Sequence, residues 1–247
     1  MFTTKKIIFE TTLGKEAEEY MKLPVPSKKI MPEWYKKISN FIDKDITQLT
    51  VKKCMPFLDA LTMGYIITTG WEIIITKKMR DKDQIIEISY PAQVRELLKE
   101  KYMGLEQHRS EQFSEDGYEY NDMKQVIKIT APWIIKTPPG YSCLFIPPLN
   151  RVNPYFRPVS GVVDTDQYPL PVSFPSIFKE FKEDTRIVPI GTPIVMVIPF
   201  KRESWKMEIS HKPTGKDGYK KRGTEIGLFR KIYDNYKSFI WHKKDFS

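Results

Sequence analysis

The chain has 247 residues, with 40 Lys and Arg against 31 Asp and Glu, which is ordinary composition for one large or two small globular domains. A chain of this length buries enough surface to fold without disulfides or a structural metal, so Cys54 and Cys143 are expected to be free thiols. Its three histidines and two cysteines show no C-x-x-C or H-x-x-x-H spacing, which excludes a zinc site made only of Cys and His.

The first 20 residues contain no apolar stretch of the kind found in signal peptides. No segment approaches the roughly 18 apolar residues of a membrane span. We therefore expect a soluble protein with neither a signal peptide nor a transmembrane segment, and no membrane partner.

The first 124 residues mix the patterns of strands and short helices. Pro32 marks the start of one helix, and residues 92–102 have the apolar spacing of another. Strands are predicted at 5–10 and at 84–90. Residues 47–76 are predicted to contain a strand, a helical turn at 57–61 and a β-rich run that ends at 73–76. Residues 103–124 have no clear period and are predicted to be loop.

From residue 125 the pattern is that of β-structure. Short runs of β-branched and aromatic residues are interrupted by Pro and Gly up to about residue 210, as in antiparallel sandwiches and barrels. In the last run Trp205, Met207 and Ile209 alternate with polar residues, which predicts a half-buried strand. We expect three parts in one continuous unit: 1–124 packed on the core, the core at 125–210, and a tail at 211–247.

Most of the net charge of +9 lies near the C-terminus, where residues 201–247 hold 13 Lys and Arg against 6 Asp and Glu. Residues 211–223 form a Gly-punctuated basic loop, and 224–241 have the apolar spacing of an amphipathic helix. Lys220, Lys221 and Arg222 are candidates for binding nucleic acid. The alternative, which the regular apolar stripe favours, is a helix docked on its own domain with its lysines in solvent.

One stretch of the core has a recognisable order of motifs. PPG at 138–140 is followed by GVVDTD at 161–166 and then by RIVPIGTPIVMVIPF at 186–200. This order resembles the β-clip fold of dUTP pyrophosphatases and dCTP deaminases over about 65 residues. The resemblance implies an α+β protein with a central antiparallel β-clip-like barrel, a mixed N-terminal elaboration and a C-terminal helix. It also implies a homo-oligomer such as a trimer.

The resemblance implies roles for two residues of the hairpin. The Asp of the hairpin orients a water or the deoxyribose in that family, and an aromatic residue beyond it stacks on the sugar or base, which corresponds to Asp164 and Tyr168. Asp164 and Asp166 together are a candidate Mg²⁺ pair, since hard cations prefer carboxylate oxygens. The alternative is a polar hairpin turn held by local hydrogen bonds.

The phosphate-binding motif of the family is replaced in this chain. IPPLNR stands where an Arg-Ser-Ser element is expected, which leaves Tyr141, Asn150 and Arg151 as candidate ligand-binding residues near a chain reversal. Pro147 and Pro148 have no N–H to donate to a phosphate, so a rigid structural turn is the favoured alternative. This replacement favours a core that is not catalytic.

Residues 32–38 (PEWYKKI) and 52–68 (KKCMPFLDALTMGYIIT) are similar to segments of uncharacterised proteins of tailed, marine T4-like bacteriophages. Three functions are therefore considered. The first is a phage-encoded accessory protein, in the host cytoplasm or the virion, whose β-clip core is a binding or assembly module without a cofactor. The second is a Mg²⁺-dependent deoxynucleotide hydrolase or deaminase-like enzyme using Asp164. The third is a nucleic-acid-associated protein using the basic tail.

Overall fold

The computed structural model describes residues 5–11, 13–15, 21–42, 45–80, 83–99, 104–109, 112, 125–209, 211 and 236–247. Within these ranges the protein is α+β and its strands pair antiparallel, which confirms the predicted class. The strands are β1 (Ile8–Glu10), β2 (Val25–Pro26), β3 (Phe41–Ile42), β4 (Asp45–Leu49), β5 (Tyr65–Thr68), β6 (Ile73–Arg80), β7 (Asp83–Ser89), β8 (Leu105–Arg109), β9 (Gln125–Thr130), β10 (Ile134–Lys136), β11 (Tyr141–Ile146), β12 (Phe156–Pro158), β13 (Gly161–Val163), β14 (Ser173–Phe178), β15 (Thr185–Val188) and β16 (Pro193–Lys201).

The α-helices are α1 (Glu33–Lys37), α2 (Met55–Thr62) and α3 (Ala92–Lys99), and a proline lies next to or within the first turn of each. Pro32 and Pro91 precede α1 and α3 and accept the first helical hydrogen bonds through their carbonyls. Pro56 lies in the first turn of α2. Proline suits these positions because the N–H groups of a first turn have no partner within the helix. The helix predicted at Pro32 is confirmed, and so is the helix predicted over 92–102 for residues 92–99; residues 100–102 lie outside the described residues.

The largest sheet has the strand order β13-β11-β16-β5-β2. A second sheet has the order β12-β14-β9-β8, a third β15-β6-β7, and two pairs are formed by β1 with β10 and by β3 with β4. Among the described residues none of these sheets closes into a barrel. In the largest sheet, the two longest strands, β11 and β16, pair from Tyr141 opposite Lys201 to Ile146 opposite Met196.

Contacts between Cα atoms divide the chain into two compact units. The first unit comprises Met1–Pro26 and Gly64–Arg202, and the second comprises Ser27–Met63 and Glu203–Ser247. The first unit contains the larger sheets and a buried cluster of apolar side chains contributed by several of them. This cluster includes Ile67, Trp71, Ile75, Ile127, Trp133, Phe145, Phe156, Phe174, Phe178, Val195 and Val197.

In the second unit, polar contacts join the two chain segments. The indole N–H of Trp241 donates to Asp59 Oδ2 at 2.9 Å, and Lys244 Nζ lies 2.6 Å from the same oxygen. Lys28 Nζ pairs with Asp245 Oδ1 at 2.6 Å. These contacts attach the last residues of the chain to the segment that carries α1 and α2.

Two sequence predictions are wrong, and both errors concern strands. Leu105–Arg109 lies within the segment predicted to be loop, yet it forms β8 by pairing with β9. Residues 204–209, predicted to be a half-buried strand, have no regular secondary structure, and Trp205, Met207 and Ile209 are exposed. In both segments the presence or absence of a pairing strand overrides the local pattern, since a strand is stable only within a sheet.

The amphipathic helix predicted over 224–241 lies largely outside the described residues. Its end, Tyr236–Ile240, forms a single π-helical turn. No helix in the described ranges is long and apolar enough to cross a membrane.

Gly64 provides a test of the packing between β5 and β16. Its φ is +67°, and a Cβ at this position would overlap the carbonyl oxygen of Val197. We expect Gly64→Ala to lower the free energy of unfolding by about 2–4 kcal/mol, because the left-handed backbone and the overlap both oppose a side chain. Urea denaturation measures the change.

Gly140→Ala is the matched control for this prediction. Gly140 has a φ of +82°, but a Cβ added there would meet no atom within 4 Å, so its substitution carries only the backbone cost of about 1–2 kcal/mol. Equal losses in the two variants would show that the approach of Gly64 to Val197 is unimportant.

Candidate functional site

The candidate site lies at one end of the largest sheet, where three chain segments meet. The turn at Pro138–Gly140 leads into β11, whose Cys143 pairs with Val163 of β13. On its other side β11 pairs with β16, and the backbone N–H of Arg202 donates to Gly140 O at 2.9 Å. Residues 164–166 after β13, the turn before β11 and Arg202 after β16 therefore converge, although they are far apart in sequence.

Arg202 binds Asp166 through a two-pronged ion pair. Nη1 lies 2.8 Å from Asp166 Oδ1, and Nη2 lies 2.5 Å from Oδ2. The backbone N–H of Gly140 donates to the same Oδ2 at 2.8 Å. The Asp166 side chain is only 4% exposed. We call this set of contacts between Asp166, Arg202 and Gly140 the clasp; its geometry is the strong, bidentate form of an Arg–carboxylate pair.

Asp164 lies beside the clasp and is more open to solvent. Its Oδ1 accepts a hydrogen bond from Ser142 Oγ at 2.6 Å and lies 3.4 Å from Arg202 Nη1. Arg202 Nη1 also donates to Ser142 Oγ at 3.1 Å. The Asp164 side chain is 64% exposed, so one guanidinium lies between a buried carboxylate and an exposed one.

The clasp shifts the proton affinity of both charged partners. The hydrogen bonds from Arg202 lower the pKa of Asp166 to about 2, with a further contribution from the Gly140 N–H, while loss of water opposes the shift. Asp166 in turn raises the pKa of Arg202. Both groups are therefore ionised near neutral pH, and Asp166 has no tendency to accept a proton from a reacting group.

This geometry does not suit a divalent cation held by the two hairpin carboxylates. Both oxygens of Asp166 accept hydrogen bonds, and the adjacent guanidinium repels a second cation. Only Asp164 presents a carboxylate to solvent. Within the described ranges no group of three His, Cys, Asp or Glu side chains is placed to hold a metal ion.

The aromatic candidates differ in position. The backbone N–H of Tyr168 donates to Asp164 O at 3.0 Å, so the turn holds Tyr168 close to the hairpin tip, and its side chain is exposed. Tyr141 begins β11 beside the clasp, and Lys5 Nζ lies 5.1 Å from its ring centroid. The structure therefore brings Tyr141, Tyr168, Asp164 and Asp166 to the same end of the sheet.

Asn150 and Arg151 follow the other end of β11. The six residues of that strand span about 16 Å, which separates the predicted phosphate-binding turn from the hairpin tip. Asn150 has a left-handed φ of 54°, and the N–H of Arg151 donates to Pro148 O at 3.3 Å. This backbone angle and this hydrogen bond are those of a turn, which agrees with the structural alternative. Burial lowers the pKa of Arg151.

The interior below the clasp is closed by hydroxyls and a thiol. Thr165 Oγ1 lies 2.8 Å from Thr137 Oγ1 and 3.3 Å from Cys143 Sγ. Cys143 is fully buried, and burial raises the pKa of its thiol to about 11. Both cysteines are free thiols, as the sequence predicts, and Cys143 packs as a small apolar residue.

Sequence reasoning missed Arg202, the residue that organises this site. The available signal was a pair of cations, Lys201 and Arg202, directly after the β-rich run at 186–200. Its carboxylate partner lies 36 residues earlier, and only the pairing of β11 with both β13 and β16 brings them together. Lys220, Lys221 and Arg222 lie outside the described residues.

Comparison of the chain with protein-family models, curated proteins and solved structures finds no match. The function is therefore argued from the geometry of the chain itself.

The clasp predicts a specific dependence of stability on pH. Because the pKa of Asp166 is about 2 in the folded protein and ordinarily 3.8, the unfolded chain takes up this proton first as the pH falls. The stabilisation is complete above about pH 4 and is lost as the pH falls from about 4 to 2. We expect the unfolding free energy of wild-type protein, measured by urea denaturation, to fall more steeply across this window than that of Asp166→Asn.

Arg202→Met is the companion variant. Without the guanidinium the pKa of Asp166 returns towards its ordinary value, and the extra loss between pH 4 and 2 should disappear. If the unfolding free energy of either variant fell as steeply between pH 4 and 2 as that of wild type, the clasp would not be the source of this acid sensitivity.

Proposed function

We propose that this protein is a non-catalytic binding or assembly module with a β-clip-like core. The observation that carries the proposal is the clasp. Both carboxylate oxygens of Asp166 accept hydrogen bonds, from Arg202 and from the N–H of Gly140. The carboxylate of Asp164 accepts a hydrogen bond from Ser142. A hairpin tip arranged in this way fastens three chain segments together, which is a structural role.

The β-clip part of the proposal rests on the order of the motifs and on their neighbours in the fold. The Pro-Gly turn, the hairpin with Asp164 and strand β16 are adjacent in one antiparallel sheet. The similarity of segments 32–38 and 52–68 to tailed-bacteriophage proteins supports a phage-encoded accessory protein, acting in the host cytoplasm or the virion.

The assembly part of the proposal rests on residues 203–209. Trp205 is 88% exposed, Met207 is 82% exposed and Ile209 is 69% exposed. These three side chains occupy alternate positions, so in an extended chain they project to the same side, while Lys206 and Glu208 project to the other. Clustered apolar side chains in water are unfavourable, and such patches mark surfaces that become buried in complexes.

We propose a second copy of this chain as the partner that buries this row, which makes the protein a homo-oligomer. In the first unit, β13 is an edge strand of the largest sheet and its Val162 is exposed. An open edge next to an apolar side chain accepts a further strand through backbone hydrogen bonds, and the alternating row supplies one apolar face.

We expect light scattering after size-exclusion chromatography to give an oligomer for the wild-type chain. Replacing Trp205, Met207 and Ile209 together by Ser should shift the protein to monomer at the same concentration, because the apolar driving force is removed.

The control replaces the interleaved Lys206 and Glu208 by Ser and should keep the wild-type mass. A monomeric wild-type protein would contradict the assembly role, and so would an oligomer that survives the triple substitution.

The enzymatic alternative has its own test. We expect no release of pyrophosphate or ammonia from dUTP or dCTP in the presence of Mg²⁺, because Asp166 is held as an ion pair and Asp164 lies beside a guanidinium. Pyrophosphate and ammonia assays measure turnover. Turnover that is lost in Asp164→Asn while the melting temperature is unchanged would replace this proposal with the enzyme.

A further inference from the structure

The positive charge of the chain belongs almost entirely to the second unit. Residues 27–63 and 203–247 together hold 18 Lys and Arg against 10 Asp and Glu, a formal charge of +8. The first unit holds 22 against 21. A compact unit with this imbalance attracts polyanions and repels cationic partners.

Within this unit an aromatic side chain is held at the surface by two others. Trp34 of α1 is 44% exposed, whereas the next residue, Tyr35, is buried. The Trp34 ring lies 5.7 Å from the Tyr35 ring and 6.0 Å from the Phe57 ring, edge to face with both. Tyr35 and Phe57 stack on each other at 5.9 Å. These contacts fix the indole while part of it stays open to solvent, so a ligand does not have to order it.

Two segments that carry lysines meet beside this aromatic cluster. Lys52 Nζ donates to the carbonyl of Tyr35 at 2.7 Å and lies 4.7 Å from its ring centroid. This contact places residues 51–53 against the C-terminal end of α1, which carries Lys36 and Lys37. Residues 33–37 and 51–53 contain four lysines and one acid, Glu33, and Glu33 pairs with Lys36 at 2.5 Å on the surface.

Lys37 stands three residues after Trp34 in the helix. Side chains with this spacing lie on neighbouring positions of the same helix face. The surface formed by Trp34, Lys37 and residues 51–53 therefore combines a fixed, partly exposed indole with clustered positive charge. We call it the Trp34 surface.

We propose that the Trp34 surface binds single-stranded nucleic acid, with a base stacked on the indole and backbone phosphates paired with the lysines. An unpaired base offers the flat face that the indole can contact, and every nucleotide adds a phosphate that the lysines neutralise. A duplex presents phosphates but keeps its bases stacked inside. The residues of this surface are separate in sequence from the basic segment at 220–222 and from the residues of the clasp.

The test measures binding of a fluorescein-labelled 20-nucleotide oligo(dT) to the full-length protein by fluorescence anisotropy at low and moderate salt. The wild-type protein should bind, with affinity falling as salt rises. Trp34→Ala should weaken binding about 5- to 100-fold, the loss expected for removing one stacked base, and Trp34→Phe should retain part of the affinity. Lys37→Gln should reduce the salt slope by about 0.7.

Phe200→Ala is the matched control, because it removes an aromatic side chain of similar exposure, 38%, from the first unit. It should bind like wild type. Equal weakening in Trp34→Ala and Phe200→Ala, or none in Trp34→Ala, would overturn the proposal. Absence of any binding would do the same.

Two competitors separate stacking from charge. Inorganic polyphosphate carries the charge without bases, and a 20-base-pair duplex carries both but hides the bases. Oligo(dT) should outcompete each at equal phosphate concentration, and only oligo(dT) should depend on Trp34. If polyphosphate or duplex binds as well, and Trp34→Ala has no selective effect, the surface is only a patch of charge.

Discussion

The ion pair between Arg202 and Asp166 is the interaction on which the end of the largest sheet depends. It joins residues that follow β13 and β16 to the turn before β11, since the N–H of Gly140 donates to the same carboxylate. An Arg–carboxylate pair with two parallel hydrogen bonds fixes orientation as well as distance. Three segments that are distant along the chain are thereby held at the same place.

The pairing of the strands that lead into the clasp explains why these three segments meet. β11 pairs with β13 on one side and with β16 on the other, so the ends of all three strands meet. The inward side chains of β11, Cys143 and Phe145, are buried in the main apolar cluster of the first unit. The apolar interior fixes which strand ends are adjacent, and the polar clasp closes the end where water would otherwise reach the backbone.

The surfaces proposed for recognition consist of residues of the second unit. Residues 203–209 expose an apolar row, and the Trp34 surface combines an indole with lysines. The two surfaces differ in chemistry. An apolar row is buried most favourably by another apolar surface, whereas a charged surface with one flat ring suits an anion that carries its own rings. Self-assembly and nucleic-acid binding can therefore coexist in one protein.

Local patterns in the sequence determined much of the secondary structure. Pro32 located one helix, because a proline fits the start of a helix, and the apolar spacing of 92–102 located another. Runs of β-branched residues located most strands between 125 and 201. Asp164 and Asp166 were identified as the polar tip of a hairpin. These features are set by residues that are close together in the chain, so one sequence is enough to find them.

Only the tertiary structure decided what these residues do. The alternation of Trp205, Met207 and Ile209 indicates a strand, but no sheet in the described ranges takes up residues 204–209, whereas Leu105–Arg109, without a clear pattern, becomes a strand beside β9. The role of Asp166 depends on Arg202, 36 residues away. Strand pairing and ion pairing join distant parts of the chain, so their partners are set by the packing of the whole unit and not by local spacing.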